Sequence, residues 1–249
     1  MSPRGDRWRG QRVPGAIEDV LSRAYGGDHT PYEWLARSVS GSAGLVLDLA
    51  CGAGAMVDRL AREGRTVIGL DRSEAELHEA ARRGRGPLVA GHASYLPFAD
   101  DSFDAVVSSL GIAVVADRSR LLSEVARVLR PGGVFAALTP SLRPANTSDL
   151  RLVGRLAHIL RVAPQLPGLT EFKARDAFQA VGLIKAEDKR AKYYVEIRTR
   201  EDAERLIGGL RGATTPKRAA AAVEFLAARA DARGVVRIPL PMRKLTAIK

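Results

Sequence analysis

The chain has 249 residues, of which 46% are hydrophobic and 27% charged, and this is the composition of an ordinary globular protein with a sizeable core. No apolar run approaches the roughly 18 residues of a membrane helix, and no apolar segment follows the basic start of the chain, which argues against a secretory signal. Cys51 is the only cysteine, which excludes an internal disulfide and fits a cytoplasmic location.

The net charge of +11 raises nucleic acid, or another anionic molecule, as a partner. Of the 39 basic residues, 32 are Arg, and they are scattered through every segment. This scatter favours biased codon usage over a dedicated basic surface. A nucleic-acid partner therefore stays open only as an alternative.

The first 43 residues predict a basic arm followed by a helical cap. Residues 1–12 are rich in Arg and Gly and have no periodicity. Apolar residues then recur at helical spacing over 15–40, and glycines at 26–27 with Pro31 divide them into two short helices.

Strand and helix patterns alternate from residue 44 to residue 139. Predicted strands cover 45–49, 66–71, 87–91, 103–109 and 134–138, and predicted helices cover 56–62, 73–81 and 119–129. Ser73 is the expected N-cap of the second helix, with Glu76 completing a capping box. This alternation predicts a parallel sheet with helices on both faces.

Residues 140–168 interrupt the alternation after the fifth strand. A predicted apolar helix at 149–160 would act as a lid above the sheet edge, or else pack on the core or on a dimer partner. Beyond it the pattern predicts helices at 170–181, 201–210 and 215–230, and strands at 193–197, 235–238 and 245–248. We expect a single domain over 1–249 with four parts: arm and cap (1–43), core (44–139), lid insertion (140–168) and the C-terminal half of the sheet (169–249).

The first strand ends in a glycine loop, 48–54, that opens a helix. Glycines let the main chain approach a ligand closely. A dinucleotide fingerprint needs a small residue where this chain has Val57, and no Gly-Lys-Ser/Thr follows as in a phosphate-binding loop. The Asp48 carboxylate would repel a pyrophosphate but attract a cation. S-adenosylmethionine, which carries an ammonium and a sulfonium, fits this charge.

Asp71 ends the second strand, 23 residues after Asp48. In a doubly wound sheet it would lie beside the end of the first strand, at the crevice where ligands bind. Its carboxylate can accept hydrogen bonds from both ribose hydroxyls. NAD sites use the same device, so Asp71 predicts an adenosine ribose rather than one cofactor; the alternative is a surface Asp at the start of the next helix.

Residues 46–54, Val-Leu-Asp-Leu-Ala-Cys-Gly-Ala-Gly, resemble motif I of the class I methyltransferases that depend on S-adenosylmethionine. The similarity is greatest to the ubiquinone and menaquinone biosynthesis branch, methyltransferase type 11. Segments 69–73, 93–106 and 124–133 match the next motifs of that family in order. The resemblance implies a Rossmann-like, doubly wound α/β fold with a mostly parallel seven-stranded sheet, an N-terminal helical cap and a helical insertion after strand five.

The resemblance also implies which residues bind the cofactor. From the methionine end of the cofactor to its adenine end, they would be Asp48, Ala50, Cys51, Gly52, Gly54, Asp71, Arg72, His92 and Ala93. Ser108 would lie under the sulfonium. Two positions depart from the family. It usually has Asp where this chain has His92, and it often has paired histidines where residues 111–115 are apolar.

Methyl transfer from a sulfonium is a direct displacement, so an enzyme mainly has to align the acceptor and exclude water. We expect a small, partly apolar acceptor methylated on O, N or C, with no metal, bound by a monomer or homodimer. His29 is the candidate base, and the candidate substrate contacts are Tyr25, Tyr32 and His158. The alternatives are an RNA methyltransferase and a non-catalytic protein that binds S-adenosylmethionine.

Overall fold

The computed structural model describes residues 14–141, 146–162, 173–210 and 214–249. Over these residues the chain forms a seven-stranded sheet in the order β3-β2-β1-β4-β5-β7-β6. All pairs from β3 to β5 are parallel, and β7 runs antiparallel to both of its neighbours. The predicted α/β fold with a mostly parallel sheet is confirmed.

The strands have the following bounds: β1 Leu45–Leu49, β2 Thr66–Asp71, β3 Leu88–Ala90, β4 Phe103–Ser109, β5 Leu129–Pro140, β6 Ile184–Ile197 and β7 Val236–Ile248. The helices are α1 Ala16–Arg23, α2 Pro31–Ala36, α3 Ala55–Leu60, α4 Glu74–Arg82, α5 Gly111–Val114, α6 Arg118–Val128, α7 Thr147–Leu160, α8 Ala174–Gln179, α9 Arg200–Gly209 and α10 Pro216–Arg233.

Helices cover both faces of the sheet, and each face has its own buried cluster. On one face α1, α2, α3, α7, α9 and α10 pack on the sheet, with Leu35 and Leu226 fully buried. On the other face α5, α6 and α8 enclose a second cluster, in which Phe178 meets Phe135 edge to face at 5.9 Å. This second helix layer leaves the carboxyl ends of the central strands as the place where a cavity can open.

The last two strands are much longer than the sequence pattern predicts. Residues 184–192 are rich in charge, so they lack an apolar alternation, yet they extend β6 from the predicted 193–197 to fourteen residues. Arg243 of β7 pairs with Asp188 of β6 at 2.8 Å. Cross-strand ion pairs therefore take the place of the missing apolar pattern.

The two predicted end strands, 235–238 and 245–248, are one strand. Two prolines, Pro239 and Pro241, separate them in sequence and indicate a break, because proline cannot donate to a ladder. In β7 both prolines lie before Met242, where the ladder to β5 begins, so that part of the strand forms a ladder only with β6. On the other side Pro241 accepts from the Ser141 N–H at 2.9 Å, and no donor is required of either proline there.

The helix predicted at 149–160 is α7, and it packs on the core. Leu156 and Leu160 are buried in the cluster on the face of the sheet that α1 covers, while the exposed face of α7 carries polar residues and Leu150. The Lys192 ammonium holds the Asp149 carboxylate of its capping box at 2.9 Å. The described part of the predicted lid insertion therefore packs on the core. The four-part division of the chain stays a prediction.

Some predictions fall outside the described residues: the basic arm at 1–12, parts of the predicted lid insertion at 140–168, and the start of the helix predicted at 170–181. None of the helices in the described ranges combines the length and the apolar composition needed to cross a bilayer.

Candidate functional site

A cavity of about 780 Å³ opens at the carboxyl ends of β1, β2, β3 and β4. The loop after β1 forms its floor, and the start of α1 and Tyr32 of α2 close it from above. Its position is the crevice that the order of parallel strands predicts.

The loop after β1 turns sharply because three of its residues adopt left-handed backbone conformations. The φ angles are 58° at Ala50, 55° at Gly52 and 82° at Gly54. Ala50, Cys51 and Gly52 line the cavity. Gly54, predicted to line it too, is instead the N-cap of α3, where an added Cβ would lie 3.0 Å from the Arg85 side chain.

Cys51 is a packing residue at the base of this loop. Its side chain is buried, and an added Cβ at Gly69 of β2 would lie 3.0 Å from its sulfur. Burial raises the pKa of the Cys51 thiol, so it stays protonated and is a poor nucleophile.

Asp48, the penultimate residue of β1, lies under the cavity with only 1% of its surface exposed. Neither carboxylate oxygen accepts a hydrogen bond from the described residues; the Val57 amide favours the ionised form without reaching bonding geometry. Burial, reinforced by the negative charge of Asp71, raises the pKa of Asp48 to about 8. A buried acid without a partner is costly, which indicates that a ligand supplies the missing donor or positive charge.

Asp71, in contrast, is held by the backbone. The N–H of Gly52 donates to Oδ2 and the N–H of Ser73 donates to Oδ1, both at 2.9 Å. Each carboxylate oxygen has a second lone pair, so Asp71 can still accept two ligand hydroxyls. Gly52 and Asp71 thus link the ends of neighbouring strands.

The predicted N-cap at Ser73 is confirmed, since its Oγ accepts from the Glu76 N–H at 3.4 Å. The predicted capping box is wrong. The Glu76 carboxylate accepts instead from the N–H of Gly15 at 3.0 Å, and so it ties the start of α1 to α4.

A partly buried ion-pair cluster fixes α1 above the cavity. Glu18 accepts from Arg85 at 2.7 and 2.8 Å and from Arg83 at 2.8 Å, and Arg85 also donates to the carbonyl of Ala53 at 2.6 Å. Sequence reasoning missed Glu18, because its partners lie 65 and 67 residues away.

His92 and Ala93 follow β3 and line the far end of the cavity, together with Arg72. His92 is exposed, while Ala93 is buried. The structure therefore brings together the residues that the resemblance assigns to the adenine end.

Ser108 does not line the cavity. It is fully buried on the α6 side of the sheet, where its hydroxyl donates to the carbonyl of Leu49 at 2.9 Å. The neighbouring Ser109 lines the cavity. Its Oγ makes no hydrogen bond of full geometry among the described residues, although it lies close enough to the Tyr32 hydroxyl to act against the rise in the pKa of Tyr32. Strand alternation was the available signal, because Ser109 shares the face of Val107 and Ala105, which pack toward α2.

Of the four predicted base and substrate residues, only Tyr32 lines the cavity. The Tyr25 hydroxyl donates to Glu196 at 2.7 Å on the β6 side, and His29 pairs with Asp28 at 2.7 Å beside Tyr193. His158 is exposed on α7. The candidate base His29 and two of the three substrate candidates are thus outside the site.

The cavity is acidic although the chain is basic. The described residues that line it include five acidic side chains and one guanidinium: Glu18, Asp48, Asp71, Glu76 and Asp117, against Arg72. Glu18 is neutralised by Arg83 and Arg85, and Asp48 is protonated without a ligand, so the negative charge comes from the other three acids. This charge favours a cationic ligand and disfavours a pyrophosphate. No three His, Cys, Asp or Glu side chains in the described ranges are grouped to hold a metal ion.

Gly111 begins α5 in close contact with the loop after β1. A Cβ there would lie 2.4 Å from Ser108 Oγ and 2.7 Å from the Ala50 Cβ. We expect Gly111→Ala to lower the free energy of unfolding by roughly 1–3 kcal/mol, as overpacking does. The control is Gly154→Ala on α7, where an added Cβ meets nothing within 4 Å; it should stabilise by about 0.5–1 kcal/mol. Urea unfolding measures both, and equal effects would contradict the close approach.

Residues 47–137 match the family model described as a methyltransferase domain. Over this segment the chain is similar to methyltransferase domains. The match begins in β1 and ends in β5, so it contains all four strand ends around the cavity, and the resemblance seen in the sequence motifs is confirmed over this segment.

Two curated relatives carry related names. A Mycolicibacterium smegmatis protein named as an S-adenosylmethionine-dependent methyltransferase is 37% identical over 144 residues, 53% of this chain and 55% of that protein. A demethylmenaquinone methyltransferase of Corynebacterium kroppenstedtii is 44% identical over 88 residues, 35% of this chain and 38% of that protein. The aligned region thus spans between about a third and just over half of these relatives.

The fold is shared with solved structures. The YcgJ protein of Bacillus subtilis superposes with a TM-score of 0.58 at 20% identity, over 88% of this chain and 97% of that chain. A Haloferax volcanii methyltransferase in complex with its Trm112 activator gives a TM-score of 0.53 at 26% identity, over 70% and 75% of the two chains.

Proposed function

We propose that this chain is a methyltransferase that uses S-adenosylmethionine to methylate a small, partly apolar molecule. The observation that carries the proposal is Asp48, a buried carboxylate without a hydrogen-bond partner in the floor of an acidic cavity. An α-ammonium would supply both the charge and the donors that Asp48 lacks. Asp71, one strand away, offers two acceptors for the ribose hydroxyls.

S-adenosylmethionine supplies a methyl group that is already activated on sulfur. The chain therefore has to position the acceptor and exclude water, and it does not have to activate the methyl group. The α1 segment held by Glu18 closes the cavity from above and limits the entry of water. Burial raises the pKa of the Tyr32 hydroxyl, with the charge of Glu18 adding to the shift. Tyr32 therefore stays protonated and serves as a hydrogen-bond donor, not as a base.

The acceptor would bind on the α5 side of the cavity. Apolar residues in and next to α5 line this part: Leu110, Val114, Val115 and Ala116. These walls favour a partly apolar molecule, and the names of the demethylmenaquinone methyltransferase relatives make a quinol a reasonable first acceptor to test. The alignment to the Corynebacterium protein spans 35% of this chain. A cytoplasmic location and a monomeric or homodimeric state belong to the same proposal.

Isothermal titration with S-adenosylmethionine, followed by incubation of the protein with methyl-labelled cofactor and a metabolite extract or a reduced naphthoquinone, tests the proposal. We expect micromolar binding and labelled product together with S-adenosylhomocysteine. Absence of binding would refute the proposal. Binding without product from any acceptor would instead support a cofactor-binding protein without activity, and transfer to RNA would support the RNA methyltransferase alternative.

A further inference from the structure

His92 lies at the end of the cavity opposite the Asp48 side. Ala90 of β3 is in register with Asp71 of β2, and the Gly91 N–H donates to the Asp71 carbonyl at 3.0 Å. The strand order β3-β2-β1 therefore places Asp48, Asp71 and His92 in sequence along one edge of the sheet. If the ammonium lies at Asp48 and the ribose at Asp71, as the proposed function requires, the base lies at His92.

The turn that carries His92 is fixed by hydrogen bonds on both sides. The Tyr95 N–H donates to the His92 carbonyl at 2.9 Å, and the Arg120 guanidinium donates to the Ser94 carbonyl at 3.3 Å. The backbone position of His92 is therefore set before any ligand arrives.

The same turn selects one tautomer of the His92 ring. The Ser94 N–H donates to His92 Nδ1 at 3.2 Å. A ring nitrogen that accepts carries no proton, so in the neutral ring the proton is on Nε2. The Nδ1 nitrogen already accepts from the chain's own backbone. The ring nitrogen left for a ligand is Nε2, which is a hydrogen-bond donor.

We propose that the Nε2–H of His92 recognises the ring nitrogen N1 of adenine, and not its 6-amino group. The Watson–Crick edge of adenine offers one acceptor, N1, next to one donor, the amino group. A carboxylate at this position would accept from the amino group, which His92 in this tautomer cannot do. The inference rests on the proposed function. It assigns the recognition of the adenine ring to a hydrogen-bond donor, the Nε2–H of His92.

Isothermal titration of the full chain with S-adenosylhomocysteine and two analogues tests this role. One analogue has C–H in place of N1, and the other has hydrogen in place of the 6-amino group. We expect the first change to weaken binding to the wild type about tenfold, the effect of losing one hydrogen bond. The second change should alter binding less than about twofold.

Variants at position 92 sharpen the test. His92→Asp should reverse the pattern, becoming sensitive to loss of the amino group and insensitive to loss of N1. His92→Phe should lose sensitivity to both. The matched control is His78→Phe, the same change at an exposed position of α4 outside the cavity, which should behave as the wild type. Thermal melts of each variant confirm folding.

The inference is overturned if the wild type is sensitive to loss of the amino group and not of N1, or if His92→Phe keeps the sensitivity to N1. These results would leave the proposed function intact, because S-adenosylhomocysteine would still bind. Absence of binding by the wild type would refute the proposed function together with this inference.

Discussion

We expect the affinity for S-adenosylmethionine to rise about tenfold per pH unit between roughly pH 5.5 and 7 in the wild type, and we expect Asp48→Asn to remove this dependence. The pKa of Asp48 is raised to about 8 in the ligand-free protein, so the group is protonated throughout this range. Pairing with an ammonium needs the ionised carboxylate. Each bound ligand therefore releases one proton, and release becomes easier as the pH rises.

Calorimetry in buffers of different ionisation enthalpy measures that proton directly. We expect about one proton released per ligand at pH 6 for the wild type and none for Asp48→Asn. The control is Asp231→Asn, an exposed acid on α10, which should leave the release unchanged. A wild-type affinity that does not vary with pH would contradict the role of Asp48.

The raised pKa of Asp48 also affects the stability of the folded protein. The pH dependence is opposite to that of an acid whose pKa is lowered on folding. Because the folded pKa of Asp48 lies above the unfolded value, its proton stabilises the folded state at low pH. That stability is fully present below about pH 4 and is lost as the pH rises through about 8. The difference between the ordinary pKa of 3.8 and the raised pKa of about 8 corresponds to a stabilising free energy on the order of 5 kcal/mol at most. Without ligand, Asp48→Asn should therefore melt above the wild type at pH 8, although it binds the cofactor more weakly.

Asp71→Ala is expected to weaken binding of S-adenosylmethionine by roughly 100-fold or more. Two hydroxyl hydrogen bonds to a carboxylate contribute about 1.5–3 kcal/mol each. The substitution also removes the acceptor of the Gly52 and Ser73 N–H groups, and this loosens the loop that forms the cavity floor. Titration with the wild type and the variant measures the sum of both effects.

An analogue separates the two causes. S-adenosylhomocysteine without its two ribose hydroxyls should bind the wild type far more weakly than the parent compound, whereas Asp71→Ala should hardly distinguish the two. If the variant still discriminated between them, Asp71 would act only by holding the loop. Asp231→Ala provides the control at an exposed site.

The local sequence pattern was sufficient to predict the strands at the centre of the sheet. The predicted bounds of β1, β2 and β4 agree with the structure to the residue. Each is a short apolar run ended by a polar residue or a glycine loop, and such a run is buried in any parallel sheet. The proximity of Asp48 and Asp71 followed in the same way, because the carboxyl ends of neighbouring parallel strands meet at one edge.

Residues that reach the cavity from other elements could not be found by pattern. Tyr32 was one candidate among several polar side chains, and only the packing of α2 placed it in the cavity while leaving Tyr25, His29 and His158 outside. Glu18 joins the site through arginines that lie far along the chain. The long edge strands β6 and β7 depend on cross-strand ion pairs and on a side of β7 where neither proline has to donate.

The sequence by itself determined the parallel core, the glycine loop and the two carboxylates that favour a cationic, adenosine-bearing ligand, because these features depend on neighbours in the chain and on the period of a strand. Only the tertiary structure decided that Asp48 has no partner among the described residues, that Ser109 and not Ser108 faces the cavity, and that the backbone N–H of Ser94 makes His92 a donor. Burial, side-chain direction and tautomer are set by contacts in space, and these contacts determine what the site can bind.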